Sequence, residues 1–424
     1  MSKNFSCGID FGTSNSTCAV YNGKSILPVP MENSKEVIPS ALFFSHEGHV
    51  YFGREAINLY IDGEEGRLLR GLKSILGTSL MIERTIVGKK SRTFEDILAI
   101  YISNLKSKAE QYLQSDIEKV VLGRPVHFHD NNPDADAKSE DMLRNIATSI
   151  GFKDIHFLYE PIAAAYSHEQ TIEDEQIAVV VDLGGGTSDF TVIRLSADRK
   201  TKADRKEDIL STTGVRIGGV NFDKALSIAS FMPYLGLGSE YRSEFDESKF
   251  MTIPSNVYND LSDWPFIHQV QSRKAIAETK ALLRTASEPE KLQRLLEIQK
   301  EHLGHAFLQV VEHAKIELTN ADYTISDLSE LGLDFTVKST REEFMQSIDL
   351  QVERIKQAMN ECVSSSGYKP SDIGLVILTG GSSEIPIINK IVNVTFPNAQ
   401  ISKDDKFGSV GRGLAYNAAN LFKD

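Results

Sequence analysis

The chain reads as an α/β protein of two similar lobes, and three observations carry that expectation. A strand–turn unit opens it, "SCGIDFGTSNST" over residues 6–17. The same plan returns at residues 177–192 as "IAVVVDLGGGTSDFTV". The length of 424 residues suits two large lobes or about three domains. A motif that recurs midway along a chain implies duplicated architecture.

In the first copy, Phe5 to Ile9 reads as a strand that delivers Asp10. Gly12, Thr13, Ser14, Asn15 and Ser16 form a turn, and Thr17 to Tyr21 returns as a strand. A turn rich in glycine and hydroxyls exposes backbone N–H groups on one side, which suits an anionic oxygen. A carboxylate beside it repels a bare anion but fits one that arrives with a divalent cation. In the second copy Asp182-Leu183-Gly184 aligns with Asp10-Phe11-Gly12, and Gly185, Gly186, Thr187 and Ser188 follow. Consecutive glycines weaken a strand and pack nothing, so they belong where backbone approaches a ligand closely. Two such hairpins facing each other would offer amides to phosphate oxygens. Asp10 and Asp182 would serve magnesium and its waters.

The rest of the chain alternates strands and helices. Helices are expected near residues 54–60, over 94–114 and over 134–150, with strands over 119–126 and 154–158. "YEPIAAAYSH" is a helix with Pro161 in its first turn. "VRIGGVNFDKAL" sets Gly218 and Gly219 before a helix, and "LVILTGGSSEIP" sets Gly380, Gly381 and Ser382 after a buried strand. Either turn could lend helix N-terminal amides to a ligand, or be an ordinary strand–helix turn. Residues 226–320 look predominantly helical, an insertion in the second lobe. There Ser287 and Glu290 make a capping-box pair for one long helix striped by Leu292, Leu295, Leu296, Leu303, Phe307, Val310, Val311 and Ala314. A last helix spans about 409–422.

Composition narrows the function. A net charge of −13 argues against a nucleic-acid backbone as partner. Three cysteines, Cys7, Cys18 and Cys362, without a CxxC pair, read as buried thiols of a reducing, cytoplasmic compartment. No apolar run reaches membrane-spanning length, and with four residues before the first strand no signal peptide is expected.

"GIDFGTSNS", "YEPIAAA", "VVVDLGGGTSDFTV" and "LTGGSSEIP", in that order and spacing, resemble the ATPase half of the seventy-kilodalton heat-shock (DnaK-like) chaperones, of the actin, hexokinase and chaperone superfamily. The resemblance implies an actin-like ATPase fold with duplicated ribonuclease-H-like cores and ATP or ADP with Mg2+ in the cleft. It implies slow hydrolysis that drives lobe closure, read by a protein partner or client. Lobe I would span 1–171 with an outer part at about 39–116. Lobe II would span 172–409 with a helical outer part at about 226–330, and 410–424 would return to lobe I. The catalytic set it implies is Asp10, Lys73, Glu160, Asp182 and Thr187, with Asp10 and Asp182 holding magnesium through water. Thr13 and Thr187 match threonines beside the phosphates, Asp189 matches the acidic residue after the second phosphate loop, and Lys73 in "LKSILG" resembles the lysine that orients the attacking water. Gly218, Gly219, Gly380, Gly381 and Ser382 match the phosphate- and adenosine-side turns, Glu312 and Lys315 the ribose contacts. Pro125 resembles the proline that links nucleotide state to lobe motion.

Three departures qualify the resemblance. Ile316 and Glu384 stand where the family clamps adenine with arginines, so weaker nucleotide affinity or altered base preference is expected. The outer part of lobe II, from Asp223 to Glu312, is longer than the family pattern. The sequence stops at Asp424, so a peptide-binding domain is expected to be absent. The rivals are a small-molecule kinase with Asp130 as its base, a filament-forming actin relative, and a nucleotide-binding scaffold without hydrolysis. Other clusters have plainer readings. His127, His129 and Asp130 in "RPVHFHD" could chelate metal but show no third partner. His302 and His305 share a helix face apart from His313, Trp264 is a packing anchor, and Lys89, Lys90 and Arg92 form a solvated hairpin tip.

Overall fold

The computed structural model describes residues 5–129, 132–169, 172–199, 205–243, 248–402 and 408–422. The chain divides into two compact units. The first is Met1–Arg216 with Gln357–Ser383 and Lys390–Asp424; the second is Ile217–Lys356 with Glu384–Asn389.

The first unit holds two mixed sheets of one plan. One runs Asp154–Tyr159, Lys119–Arg124, Ser6–Phe11, Asn15–Tyr21, Ile26–Pro28, with Val37–Pro39 also paired to Asn15–Tyr21. The other runs Gln400–Ser402, Leu375–Thr379, Gln176–Leu183, Ser188–Leu195, Ile209–Val215. In both, the central strand pairs in parallel on one side and forms an antiparallel hairpin on the other. Ala178 to Val181 are all buried, as expected of a strand covered on both faces.

The helix Ser409–Leu421 lies against Ser6–Phe11 and against the helix Glu160–Glu169. Glycines permit this approach: a Cβ on Gly8 would run into the backbone of Leu414 and Ala415, and one on Gly413 into that of Ala163. Leu414 and Ala418 then join Val121, Ile162, Val180 and Ile377 in one apolar cluster. Outside the first sheet lie the strands Ala41–Ser45, Val50–Phe52 and Gly66–Arg70 and the helix Phe94–Leu113. Thr93 and Asp96 cap that helix reciprocally. Cys7, Cys18 and Cys362 are buried free thiols; Cys7 pairs with Val20 and Cys18 with Ile9, which makes the Cys7 and Cys18 side chains diagonal neighbours in contact across the hairpin.

The second unit is largely helical and departs from expectation in three places. The expected long helix is two, Pro289–Lys300 and Gly304–Asn320, broken where His302 takes a left-handed φ of 57°. Gly304 lets the second helix start against Ile267, which a Cβ would meet at 2.6 Å. His302 therefore leaves the helix face of His305. The Ser287–Glu290 capping box does not form: Ser287 donates its hydroxyl to the Glu240 carbonyl at 2.7 Å, and the helix opens at Pro289 behind Glu288. Glu240–Arg242 and Phe250–Thr252 pair as a small hairpin within the helical region, its strands too short for periodicity to reveal. Trp264 packs edge-on against His305 with ring centroids 4.6 Å apart. Among the described residues no helix is long and apolar enough to cross a membrane.

Candidate functional site

The two aspartate hairpins are built in the same register. Asp10 pairs with Thr17 and Phe11 with Ser16; Asp182 pairs with Asp189 and Leu183 with Ser188. In each, the carboxylate sits at the end of a buried strand and the connecting loop projects beyond the sheet.

The loops are held by local hydrogen bonds. Ser40 donates its hydroxyl to the Gly12 carbonyl at 2.7 Å and its N–H to the Ser14 carbonyl at 2.8 Å. Gly184 donates its N–H to the Thr187 carbonyl at 2.9 Å, and the Thr187 hydroxyl donates to Asp189 at 2.8 Å. The Ser382 hydroxyl donates to the Gly184 carbonyl at 3.2 Å, joining the Gly380-Gly381 turn to the second loop. The loops also meet each other, since a Cβ on Gly185 would overlap the Ser14 hydroxyl. A Cβ on Gly186 would meet nothing within 4 Å. Of the three consecutive glycines, Gly185 is required by a protein neighbour and Gly186 faces open space.

Lys73 lies on a short turn, Leu72–Ile75, entered through Gly71 at φ 68°. Leu72 and Leu76 anchor this turn in the core, 3% and 1% exposed. The Lys73 ammonium donates to Glu160 Oε1 at 2.6 Å. Glu160 opens the helix Glu160–Glu169, and Gly123 makes room for it: a Cβ there would lie 3.2 Å from the Glu160 Cγ. Asp182 accepts the Thr379 hydroxyl at 2.9 Å.

Charge concentrates among these residues. Burial, then the Glu160 and Asp182 charges, push Asp10 up to about 7, against the opposing pull of Lys73. Burial and Glu160 also raise Asp182, opposed by the Thr379 hydrogen bond and by Lys73. Burial pulls the Lys73 pKa down, but Glu160, Asp10 and Asp182 more than offset it and leave the lysine above its ordinary value. Glu160 alone pairs directly with the Lys73 ammonium, while Asp10 and Asp182 feel its charge. Among the described residues no three such side chains gather closely enough to grip a metal directly, so Asp10 and Asp182 suit a cation that keeps its waters.

The other expected ligand residues fall in the second unit. Gly218 precedes the helix Gly219–Leu226, its N–H bound to the Asn221 side chain at 2.9 Å. Glu312 and Ile316 are exposed on Gly304–Asn320, and Lys315 is paired with Asp223 at 2.8 Å. His127 is exposed and His129 binds the Leu76 carbonyl, while Asp130 lies outside the described residues. Lys89 sits at the turn of the hairpin Arg84–Val87 and Lys90–Thr93. Sequence reasoning missed Ser40, Thr379 and Asp223. A threonine ending the apolar run "LVILT" was a usable signal for Thr379; nothing local marks the other two.

Two sheets of one plan, each carrying an aspartate hairpin, define the actin-like two-lobed ATPase fold with duplicated ribonuclease-H-like cores. Within that class a family model, Hsp70 protein, matches residues 6–232 and 283–421, and the chain belongs to the Hsp70 family. The unmatched residues 233–282 fall in the helical region singled out from the sequence. The chain is similar to the protein named Chaperone protein DnaK of Thermosipho africanus (strain TCF52B), 25% identical over 432 aligned residues. The alignment covers 99% of this chain and 59% of the relative, so the chain spans about three fifths of that protein's length.

Proposed function

We propose that the chain binds ATP with magnesium and hydrolyses it slowly, as the nucleotide switch of an Hsp70-type chaperone whose state a protein partner reads. The observation that carries this is the meeting of the two hairpin loops beside a Lys73–Glu160 pair and the carboxylates Asp10 and Asp182. Phosphoryl transfer to water depends on positioning and charge neutralisation more than on covalent help. Amides of residues 12–15 and 184–187 bind phosphate oxygens. Asp10 and Asp182 would hold a magnesium ion, which would supply neutralising charge. Glu160 holds the Lys73 ammonium, which orients the attacking water at the terminal phosphate, and Thr187, held by Asp189, lies beside the phosphates. Glu312 and Lys315 contact the ribose, with Asp223 setting the lysine.

The test is phosphate release from Mg-ATP by wild type, Asp10→Asn and Lys73→Ala, with nucleotide binding measured in parallel. Release lost in both variants, with binding kept in Lys73→Ala, supports the reading. Binding without release in wild type overturns hydrolysis.

A further inference from the structure

The stretch "RPVHFHD" belongs to neither phosphate loop, yet its second histidine reaches the lysine turn. We propose that His129 is the positioning residue for Lys73: it grips the Leu76 carbonyl and so sets the direction of the lysine turn. The inference rests on the role given to Lys73 in the proposed function.

His129 Nε2 lies 2.5 Å from the Leu76 carbonyl oxygen. A carbonyl only accepts, so Nε2 carries the hydrogen. Leu76 in turn donates its N–H to the Lys73 carbonyl at 3.3 Å. Two hydrogen bonds therefore run from the imidazole to the backbone of Lys73. The next residue, Gly77, has φ 73° and is pressed against the helix Pro133–Ser149. A Cβ there would overlap the Ser139 hydroxyl and lie 3.1 Å from the His129 ring.

The histidine is itself aimed by a rigid element. Phe128 donates its N–H to Asp136 on that helix at 2.5 Å, and Arg124 donates to the other Asp136 oxygen at 2.7 Å. The Arg124 guanidinium also lies 5.3 Å from the centre of the Phe128 ring. By contrast the lysine turn is four residues long and belongs to no sheet or long helix. Buried leucines hold its depth, but apolar contacts are non-directional and leave its rotation to a hydrogen bond. A displacement of about 1 Å in such a group can cost on the order of a hundredfold in rate.

The experiment compares His129→Ala with His129→Gln, which keeps an N–H donor, alone and in the Lys73→Ala background. Single-turnover phosphate release from preloaded ATP should slow about tenfold in His129→Ala, with ATP affinity within about twofold of wild type. His129→Gln should recover most of the rate, and His129→Ala should add nothing once Lys73 is gone. Amide hydrogen exchange over residues 72–78 should rise in His129→Ala and return toward wild type in His129→Gln. Wild-type release and exchange in His129→Ala overturn the proposal, as does equal loss in both variants or a full further loss without Lys73. If wild type releases no phosphate, the hydrolytic reading fails by itself. The exchange pattern then decides His129, raised exchange over 72–78 upholding its role and unchanged exchange overturning it. Should His129→Ala not fold, His129→Met against His129→Gln carries the same comparison at similar volume.

Discussion

The Asp10 and Asp182 hairpins share strand order, register and the seven-residue step from aspartate to its cross-strand partner, and they differ in what fills the space around each carboxylate. On the second sheet the strand beside Asp182 ends in Thr379, whose hydroxyl holds the carboxylate. On the first sheet the neighbouring strand carries Gly123 at the corresponding end, and Glu160 with its Lys73 partner occupies the room that glycine leaves. The loops differ in the same complementary way. The first presents Thr13 and Ser14, and the second presents glycines, one of which yields to Ser14. A duplicated scaffold has thus been made asymmetric by side-chain size and chemistry. One half is a hydrogen-bonded anchor and the other a charged pair.

The largest effect should come from breaking the charged half. Lys73→Ala or Asp10→Asn is expected to lower phosphate release by about a hundredfold or more, because the fixed charges act where negative charge develops. Release within about threefold of wild type would show that the pair is only structural.

The anchored half should respond less. Thr379→Val deletes the hydroxyl that binds Asp182 and is expected to cost about 1 kcal/mol, with Thr379→Ser close to wild type. An unchanged urea midpoint in Thr379→Val would mean that Asp182 needs no anchor.

The glycines test the loop complementarity. Gly185→Ala forces the Ser14 hydroxyl to rotate away and should cost about 0.5 kcal/mol in urea unfolding. Gly186→Ala meets no neighbour and should leave stability nearly unchanged while weakening nucleotide binding. Equal destabilisation by both would remove the distinction drawn between them.

The smallest effect is a comparison from the second unit, where the half-buried carboxylate of Asp223 pairs with Lys315 near the Glu312 charge. Burial, against the pull of Lys315, raises Asp223 from 3.8 to about 6. The folded chain therefore binds this proton more tightly than the unfolded chain. Its contribution to stability is full below about 4 and falls as pH rises through about 6. Melting temperature should decline less between those values in Asp223→Asn than in wild type. Parallel pH profiles would show that Lys315 already compensates that charge.

Much of the site was legible because its requirements are local. A carboxylate at a strand end and a glycine-rich turn can be read within a dozen residues, and both hairpins fold as read. Thr187 and Asp189 likewise lie on one of those strand–turn units. The helix stripe from Leu292 to Ala314 was misjudged because an apolar pattern persists through a break. His302 turns the chain there without interrupting the periodicity. The Ser287–Glu290 pattern had the residues of a cap, but Ser287 found a carbonyl 47 residues away in sequence.

The family, the duplicated strand plan and the residue types at both hairpins can be read from the amino acids in order, because strand period, turn chemistry and glycine are properties of short stretches. Which glycine meets Ser14 and which faces open space, that Thr379 holds Asp182, and that His129 reaches the Leu76 carbonyl emerge only when the chain is folded. Each of these joins residues far apart in the chain. Hydrogen bonds and close packing depend on position to within a few tenths of an ångström, which no one-dimensional pattern encodes.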